Sequence, residues 1–146
     1  MRVHLGRRYR LSASHRLHTD ALSEAENRRV YGKCANPHGH GHNYTVEVIV
    51  GGEIDNATGM VCDLAELDGV VSRHVLEPFD HTNLNTLECF RNAVPTTENL
   101  LIEIRKRLEK ALPQRLTLKL RIEETSNNFF EYLETGSSQQ GAGIRD

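Results

Sequence analysis

Residues 40–50 have the sequence HGHNYTVEVIV, and the rest of the interpretation starts from this stretch. Its even-numbered residues are two histidines, a tyrosine and three valines, whereas its odd-numbered residues are Gly, Asn, Thr, Glu and Ile. Successive side chains of a β-strand point to opposite faces, so this alternation predicts a half-buried strand. His40 and His42 then extend the apolar face of that strand, where imidazoles are uncommon.

A third histidine ends another predicted strand. From Tyr9 to His15, the residues Tyr, Leu, Ala and His alternate with Arg, Ser and Ser. If the two strands are neighbours in one sheet, His15, His40 and His42 converge on one small volume. Three neutral imidazoles are the protein ligands of many catalytic zinc sites, in which water or substrate fills the open position. We therefore predict a Zn²⁺ site at these three residues.

Two nearby residues leave the details of this site open. Cys34 is the nearby thiol, and it is suited either to a fourth metal ligand or to a free base. The segment His38-Gly39-His40 has the same spacing as His40-Gly41-His42, so His38 is a rival for a ligand position. The sequence alone does not decide between these alternatives.

The rest of the chain alternates between helical and strand periodicity. Ser23 and Glu26 form a capping box that predicts a short helix. Predicted next are a helix over Leu64–Leu76 after the N-cap Asp63, a helix after Thr96 or Thr97 that stops at Pro113, a strand over Leu116–Glu124 and a strand over Phe129–Leu133. Strands at both ends with helices between them indicate an antiparallel α+β domain.

Three acidic positions are candidates for acid–base or binding roles. Asp80 directly precedes His81, and a carboxylate beside an imidazole can fix its tautomer. Glu124 continues the apolar parity of its strand, so it either binds a ligand with N–H donors or reaches solvent at the strand end. Glu98 lies in the first turn of a predicted helix, where a carboxylate is favourable whatever the function.

Composition excludes several classes of function. The formal net charge is −2, there is no Trp and aromatic residues are 5%, so we expect no nucleic-acid binding. No apolar run resembles a secretory signal or a membrane span, and three irregularly spaced cysteines do not suggest disulfides. We expect a cytoplasmic protein with reduced thiols and no membrane partner. We expect residues 1–135 to form one domain and the Gly-, Ser- and Gln-rich residues 136–146 to be disordered.

An ordered set of motifs resembles one enzyme family, the 6-pyruvoyltetrahydropterin synthases and their 6-carboxytetrahydropterin synthase relatives. The matching residues run from about 9 to 133, and the motifs are Ser12–Leu17, Gly32–Pro37, Gly39–Tyr44, Gly52–Asp55 with Gly59–Val61, Leu76–Leu84, Thr96–Asn99 and Glu124-Thr125. Each motif alone is weak, whereas the ordered set is specific.

The resemblance implies a fold and a set of residue roles. The fold is the α+β tunnelling fold, or T-fold: an antiparallel four-stranded sheet with two helices packed on one face, assembled as a homohexamer from two trimers. Zinc is held by His15, His40 and His42. The catalytic base is Cys34, which acts with Asp80 and His81. The pterin ring is anchored by Glu124, helped by Thr96, Thr97 and Glu98.

The implied substrate is the small molecule 7,8-dihydroneopterin triphosphate, which loses triphosphate to give 6-pyruvoyltetrahydropterin, as in tetrahydrobiopterin biosynthesis. Two alternatives stay open. The first is the 6-carboxytetrahydropterin synthase reaction of queuosine biosynthesis, which also releases acetaldehyde. The second, from another class, is a non-catalytic oligomeric pterin-binding module that zinc stabilises, in which Cys34 is a fourth ligand.

Overall fold

The computed structural model describes residues 1–133, which form a five-stranded sheet with helices on one face. The strands are β1 (Arg2–His15), β2 (His40–Glu53), β3 (Thr82–Asn83), β4 (Thr117–Thr125) and β5 (Asn128–Tyr132). The helices are α1 (Glu24–Tyr31), α2 (Leu64–Val71), α3 (Glu77–Phe79) and α4 (Thr97–Ala111). The segment predicted to be disordered, 136–146, lies outside the described residues, as does the end of the predicted domain at residue 135.

The longest pairing in the sheet joins β1 to β2. The two strands run antiparallel over 14 residues each, from Arg2 opposite Glu53 to His15 opposite His40. β1 begins seven residues before the predicted start at Tyr9. Val3 and Leu5 share the parity of Tyr9, but Arg7 breaks the apolar alternation before that residue. Backbone pairing with β2 extends the strand across this charged half.

The sheet buries one face against α2 and α4. Its core side carries Leu11 and Ala13 of β1, the three valines of β2 and the apolar residues of β4, all at most 5% exposed. On α4, the buried residues include Leu100, Ile104 and Leu108. The helix starts where predicted, since the Thr96 hydroxyl accepts a hydrogen bond from the Asn99 backbone N–H. The predicted fold class, with two principal helices on one face, is confirmed.

The number of strands differs from the prediction of four. The additional strand β3 has only two residues, and it pairs in parallel with Ala13 and Ser14 at the end of β1. A two-residue strand has no measurable periodicity, so the sequence gives no signal for it. The order across the sheet is β3-β1-β2-β4-β5.

The other face of the sheet is not covered by any helix of the described chain. Its side chains are mostly polar and include Ser12, Asn43, Glu47, Lys119 and Arg121. Among residues 1–133, every helix is too short or too polar to cross a lipid bilayer.

Gly39 determines the backbone conformation where the loop enters β2. Gly39 has φ +66, a conformation that residues with a Cβ atom rarely adopt. A Cβ atom at this position would also lie closer to the His15 carbonyl oxygen than van der Waals contact allows. The backbone of Gly39 therefore packs directly on the end of β1, next to the point where His15 faces His40.

We expect Gly39→Ala to lower the free energy of unfolding by about 2–4 kcal/mol, because it combines an unfavourable φ with a backbone clash. Gly59→Ala is the matched control: Gly59 has φ +74, but nothing lies within 4 Å of an added Cβ atom. This control should lose only about 1–2 kcal/mol. Urea unfolding of the metal-free proteins measures both values. Equal losses would show that the contact with His15 does not constrain the chain.

Candidate active site

The three predicted histidine ligands lie together on the core face, where β1 ends and β2 begins. His15 is opposite His40 in the register of the two strands, and His42 is opposite Ala13. The ring centroids are 5.3 Å apart for His15 and His40, 4.9 Å for His15 and His42, and 4.6 Å for His40 and His42. The strand parity therefore brings the three imidazoles into one cluster.

The hydrogen bonds of the cluster leave two imidazole nitrogen atoms without a partner among residues 1–133. The Nδ1 atom of His15 lies 2.8 Å from the Pro95 carbonyl oxygen, so this nitrogen carries the ring hydrogen and donates a hydrogen bond to that oxygen. The Nε2 atoms of His15 and His42 are buried and have no hydrogen-bond partner among the described residues. Unpartnered buried nitrogens are costly unless another group binds them, and a metal ion is such a group.

A thiol completes the donor set. Cys34 lies in the short 3₁₀ helix Gly32–Ala35, and its Sγ atom is 3.1 Å from Nε2 of His40. One ligand atom from each of Cys34, His15, His40 and His42 lies within 4.8 Å of the others. Burial, and after it the charge of Glu124, raise the pKa of the Cys34 thiol. Without a nearby cation the thiol is therefore protonated at neutral pH, and a metal would reverse this.

Glu124 lies beside the cluster at the end of β4. Its Oε1 atom accepts a hydrogen bond from the Thr97 hydroxyl at 2.9 Å and lies 3.5 Å from Nε2 of His42. Its Oε2 atom accepts a hydrogen bond from the Asn128 side-chain amide at 2.9 Å. The side chain is only 15% exposed. The sequence left two interpretations of Glu124 open. The structure favours a partly buried, hydrogen-bonded carboxylate over a solvated residue at the strand end.

The other predicted ring-binding residues, Thr96, Thr97 and Glu98, differ in burial and in their contact with Glu124. Thr97 is buried and contacts Glu124 directly, whereas the Thr96 hydroxyl is used as the N-cap of α4. Glu98 is exposed in the first turn of the same helix. Within residues 1–133, the side-chain hydrogen bonds of Glu124 go to Thr97 and Asn128, so Thr96 and Glu98 do not support its carboxylate.

Asp80 and His81 lie at the edge of the sheet, at the turn before β3. The Asp80 carboxylate accepts a hydrogen bond from the Ser12 backbone N–H at 2.8 Å, and the His81 backbone N–H donates to the Ser12 carbonyl at 2.6 Å. The His81 side chain is 82% exposed, and its Nε2 atom is 3.5 Å from Asp80. No contact among the described residues joins either side chain to Cys34. One chain therefore does not assemble the predicted group of three.

His38, the rival metal ligand, is exposed in the loop before β2 and does not belong to the cluster. The positive φ of Gly39 turns the chain between His38 and His40, so the even spacing no longer places both on one face. The geometry therefore favours the register with His40 and His42.

The sequence interpretation missed three features of the site. Tyr44 is 1% exposed, its ring centroid lies 5.5 Å from that of His42, and its hydroxyl has no hydrogen-bond partner among the described residues. Burial, followed by the charge of Glu124, raises the pKa of this phenol. Tyr44 shares the strand parity of the two β2 histidines, so the sequence pattern could have predicted that it faces the cluster. The Pro95 carbonyl and the Asn128 amide gave no comparable signal.

Comparison with known proteins gives consistent matches over most of the chain. The family model described as "6-pyruvoyl tetrahydropterin synthase" matches residues 4–135. The 6-pyruvoyl tetrahydrobiopterin synthase of Homo sapiens is 46% identical over 129 residues, covering 88% of this chain and 89% of its own. That of Drosophila melanogaster is 47% identical over 131 residues, covering 88% and 77%. The structure of the Caenorhabditis elegans 6-pyruvoyl tetrahydropterin synthase superposes with a TM-score of 0.84 at 44% identity, covering 90% and 95%.

Burial of the imidazoles makes the stability of the metal-free protein depend on pH. Burial lowers the pKa values of His15 and His42 in the folded state. As the pH falls through about 6.5, the unfolded chain therefore binds more protons than the folded one, and stability decreases. We expect metal-free protein to lose stability from pH 7.5 to 5.5, and His15→Gln to lose less over the same interval.

Urea unfolding at the two pH values measures this difference. His38→Gln is the matched control, because His38 is exposed and its removal should leave the wild-type pH dependence unchanged. An identical pH dependence in wild type and His15→Gln would contradict the assignment of His15 as a buried neutral imidazole.

Proposed function

The chain belongs to the 6-pyruvoyl tetrahydropterin synthase family, a family of lyases, and we propose that it converts 7,8-dihydroneopterin triphosphate into 6-pyruvoyltetrahydropterin with release of triphosphate. One observation carries the proposal: Cys34, a base candidate, lies inside the cluster of His15, His40 and His42, with the Glu124 carboxylate beside it. A metal, a base and a ring anchor are the parts that this reaction needs.

The bound metal proposed here is zinc, held by His15, His40 and His42. The unpartnered Nε2 atoms of His15 and His42 fit this role, and the Pro95 carbonyl fixes the required tautomer of His15. Imidazole donors suit zinc better than magnesium or calcium, which prefer oxygen ligands. When bound, zinc supplies Lewis acidity to the side-chain oxygens of the substrate, which acidifies the neighbouring C–H bonds.

In this proposal the thiolate of Cys34 removes a proton from a side-chain carbon of the substrate. Its Sγ atom is close enough to the cluster for a substrate held there to reach it, since it lies 3.1 Å from Nε2 of His40. Triphosphate leaves from the far end of the side chain. An internal redox shift then moves two electrons from the side chain to the ring, so no external reductant is needed.

Glu124 is proposed to accept hydrogen bonds from adjacent N–H groups of the pterin ring. Each carboxylate oxygen has two acceptor sites, and within residues 1–133 Thr97 and Asn128 each occupy one. One site on each oxygen therefore stays available for a planar ligand with two donors. We also propose that Thr96 and Glu98, at the start of α4, contribute contacts to the ring.

Asp80 and His81 are proposed to join Cys34 from a neighbouring subunit of a homohexamer. Three features support this arrangement. Within one chain the pair contacts Ser12 and not Cys34, the His81 ring is exposed, and the uncovered sheet face is polar. In the described part of the chain, the outer edges of the end strands β3 and β5 are also not covered by another strand, and a second chain can pair with them.

Product analysis tests the proposed reaction. Purified zinc-loaded protein incubated with 7,8-dihydroneopterin triphosphate should release triphosphate and a pyruvoyl pterin, both identified by mass spectrometry. Cys34→Ala should retain zinc at saturating concentration and lose about 10²–10⁴-fold in turnover. Cys62→Ala is the matched control, because Cys62 is a half-buried thiol outside the cluster, and it should retain full activity.

Three outcomes contradict the proposal in different ways. Acetaldehyde in amounts equal to the product would assign the carboxy-type reaction. Zinc binding without turnover would favour a pterin-binding module. Full activity of Cys34→Ala would exclude this residue as the base.

Complementation between inactive variants tests whether the site is shared. Cys34→Ala and Asp80→Asn should each be inactive alone, whereas co-expression should restore about a quarter of the wild-type activity, because about a quarter of the sites then combine both intact residues. Activity is measured on the purified mixed oligomer. A mixed oligomer with no activity would place both residues in the same subunit. The double variant Cys34→Ala/Asp80→Asn, co-expressed with wild type, controls for dilution.

A further inference from the structure

The thiol of Cys34 is closer to the histidine cluster than a free base requires. Sγ lies 3.1 Å from Nε2 of His40, and the ligand atoms of Cys34 and the three histidines lie within 4.8 Å of one another. Neighbouring nitrogen and sulfur ligands of one tetrahedral zinc are about 3.5 Å apart, given bond lengths of about 2.0–2.3 Å. The observed set can therefore close around a single ion with small side-chain movements.

We propose that Cys34 is the fourth protein ligand of the metal while the site is free of substrate, and that substrate binding releases its sulfur to act as the base. The proposal rests on the function proposed above, and it adds a state that the three-histidine site does not have. The resting site is then closed by protein, whereas the working site is open, as catalytic zinc sites are.

The position of Cys34 in the chain suits a ligand that leaves. It lies in a short 3₁₀ helix and not in the sheet, unlike the three histidines. Its backbone is held independently of its sulfur, because the Cys34 carbonyl accepts a hydrogen bond from the Leu17 N–H at 2.7 Å. Rotation about the Cα–Cβ bond can therefore move the sulfur while the backbone stays in place.

Release from a metal has a chemical consequence for the base. Thiols bind metal ions in the deprotonated form, so the sulfur that leaves is already a thiolate. The same coordination shields the sulfur from oxidation while no substrate is present, since one lone pair is shared with the metal. In such a closed site, the Cys34 thiolate becomes free to act as a base only when the substrate binds.

Cobalt substitution tests the resting state without relying on turnover. Metal-free full-length protein is loaded with Co²⁺, and its absorption spectrum is recorded. A thiolate ligand gives a near-ultraviolet thiolate-to-Co²⁺ charge-transfer band, which imidazole ligands alone do not give. We expect the band in wild type and in Cys62→Ala, and we expect it to be absent in Cys34→Ala and Cys34→Ser. Competition with a chelator should show zinc binding weakened at least about 10-fold in both Cys34 variants.

Addition of 7,8-dihydroneopterin, which lacks the triphosphate, tests the release. At a concentration that saturates the site by calorimetry, the charge-transfer band of the wild-type protein should disappear. A band that persists would make Cys34 a permanent ligand and overturn the release. Absence of the band in the wild-type Co²⁺ protein would overturn the proposal that Cys34 is a ligand in the resting site. If the zinc protein then showed normal turnover, the proposed function would still stand. The band with no turnover would instead contradict the proposed function.

Discussion

The register between β1 and β2 is the constraint on which the rest of the molecule depends. A shift by one residue would turn every side chain of β2 to the other face, so the valines would leave the core together with His40 and His42. Two kinds of contact hold the register. Apolar residues along the strands pack on the helices, and Gly39 packs on the His15 carbonyl at the loop. Core packing and the histidine cluster are therefore consequences of the same pairing.

The start of α4 organises the polar groups that this pairing buries. The Pro95 carbonyl, just before the helix, accepts a hydrogen bond from Nδ1 of His15, and the Thr97 hydroxyl, in the first turn, donates one to Glu124. The two contacts orient an imidazole from β1 and a carboxylate from β4, strands that do not pair with each other. Because the helix is anchored by its own buried leucines, it holds both groups in a fixed relation to the sheet.

Much of this arrangement could be predicted from short-range patterns. Strand parity identified the core face of β2 and the histidines on it, and the pair Thr96-Thr97 marked the start of α4. Parity could not exclude His38, since it has the same spacing; only the positive φ of Gly39, a backbone property, separates it. Features that depend on distant contacts, such as the two-residue strand β3 and the Asn128 support of Glu124, have no periodic signal.

In the proposed mechanism, the separation of Asp80 and His81 from Cys34 links catalysis to the sheet edges that no strand among residues 1–133 covers. Because β3 pairs only with Ala13 and Ser14, most of the outer edge of β1 has no paired strand among residues 1–133. An uncovered strand edge favours pairing with another chain. The turn that presents the His81 ring lies at this edge and is held by two hydrogen bonds with the Ser12 backbone. The Ser12 N–H donates to the Asp80 carboxylate, and the His81 N–H donates to the Ser12 carbonyl. In the proposed hexamer, a neighbouring chain that covers such an edge also supplies acid–base residues. The assembly that protects the sheet would then be the one that completes the active site, so a stable isolated chain would be expected to lack activity.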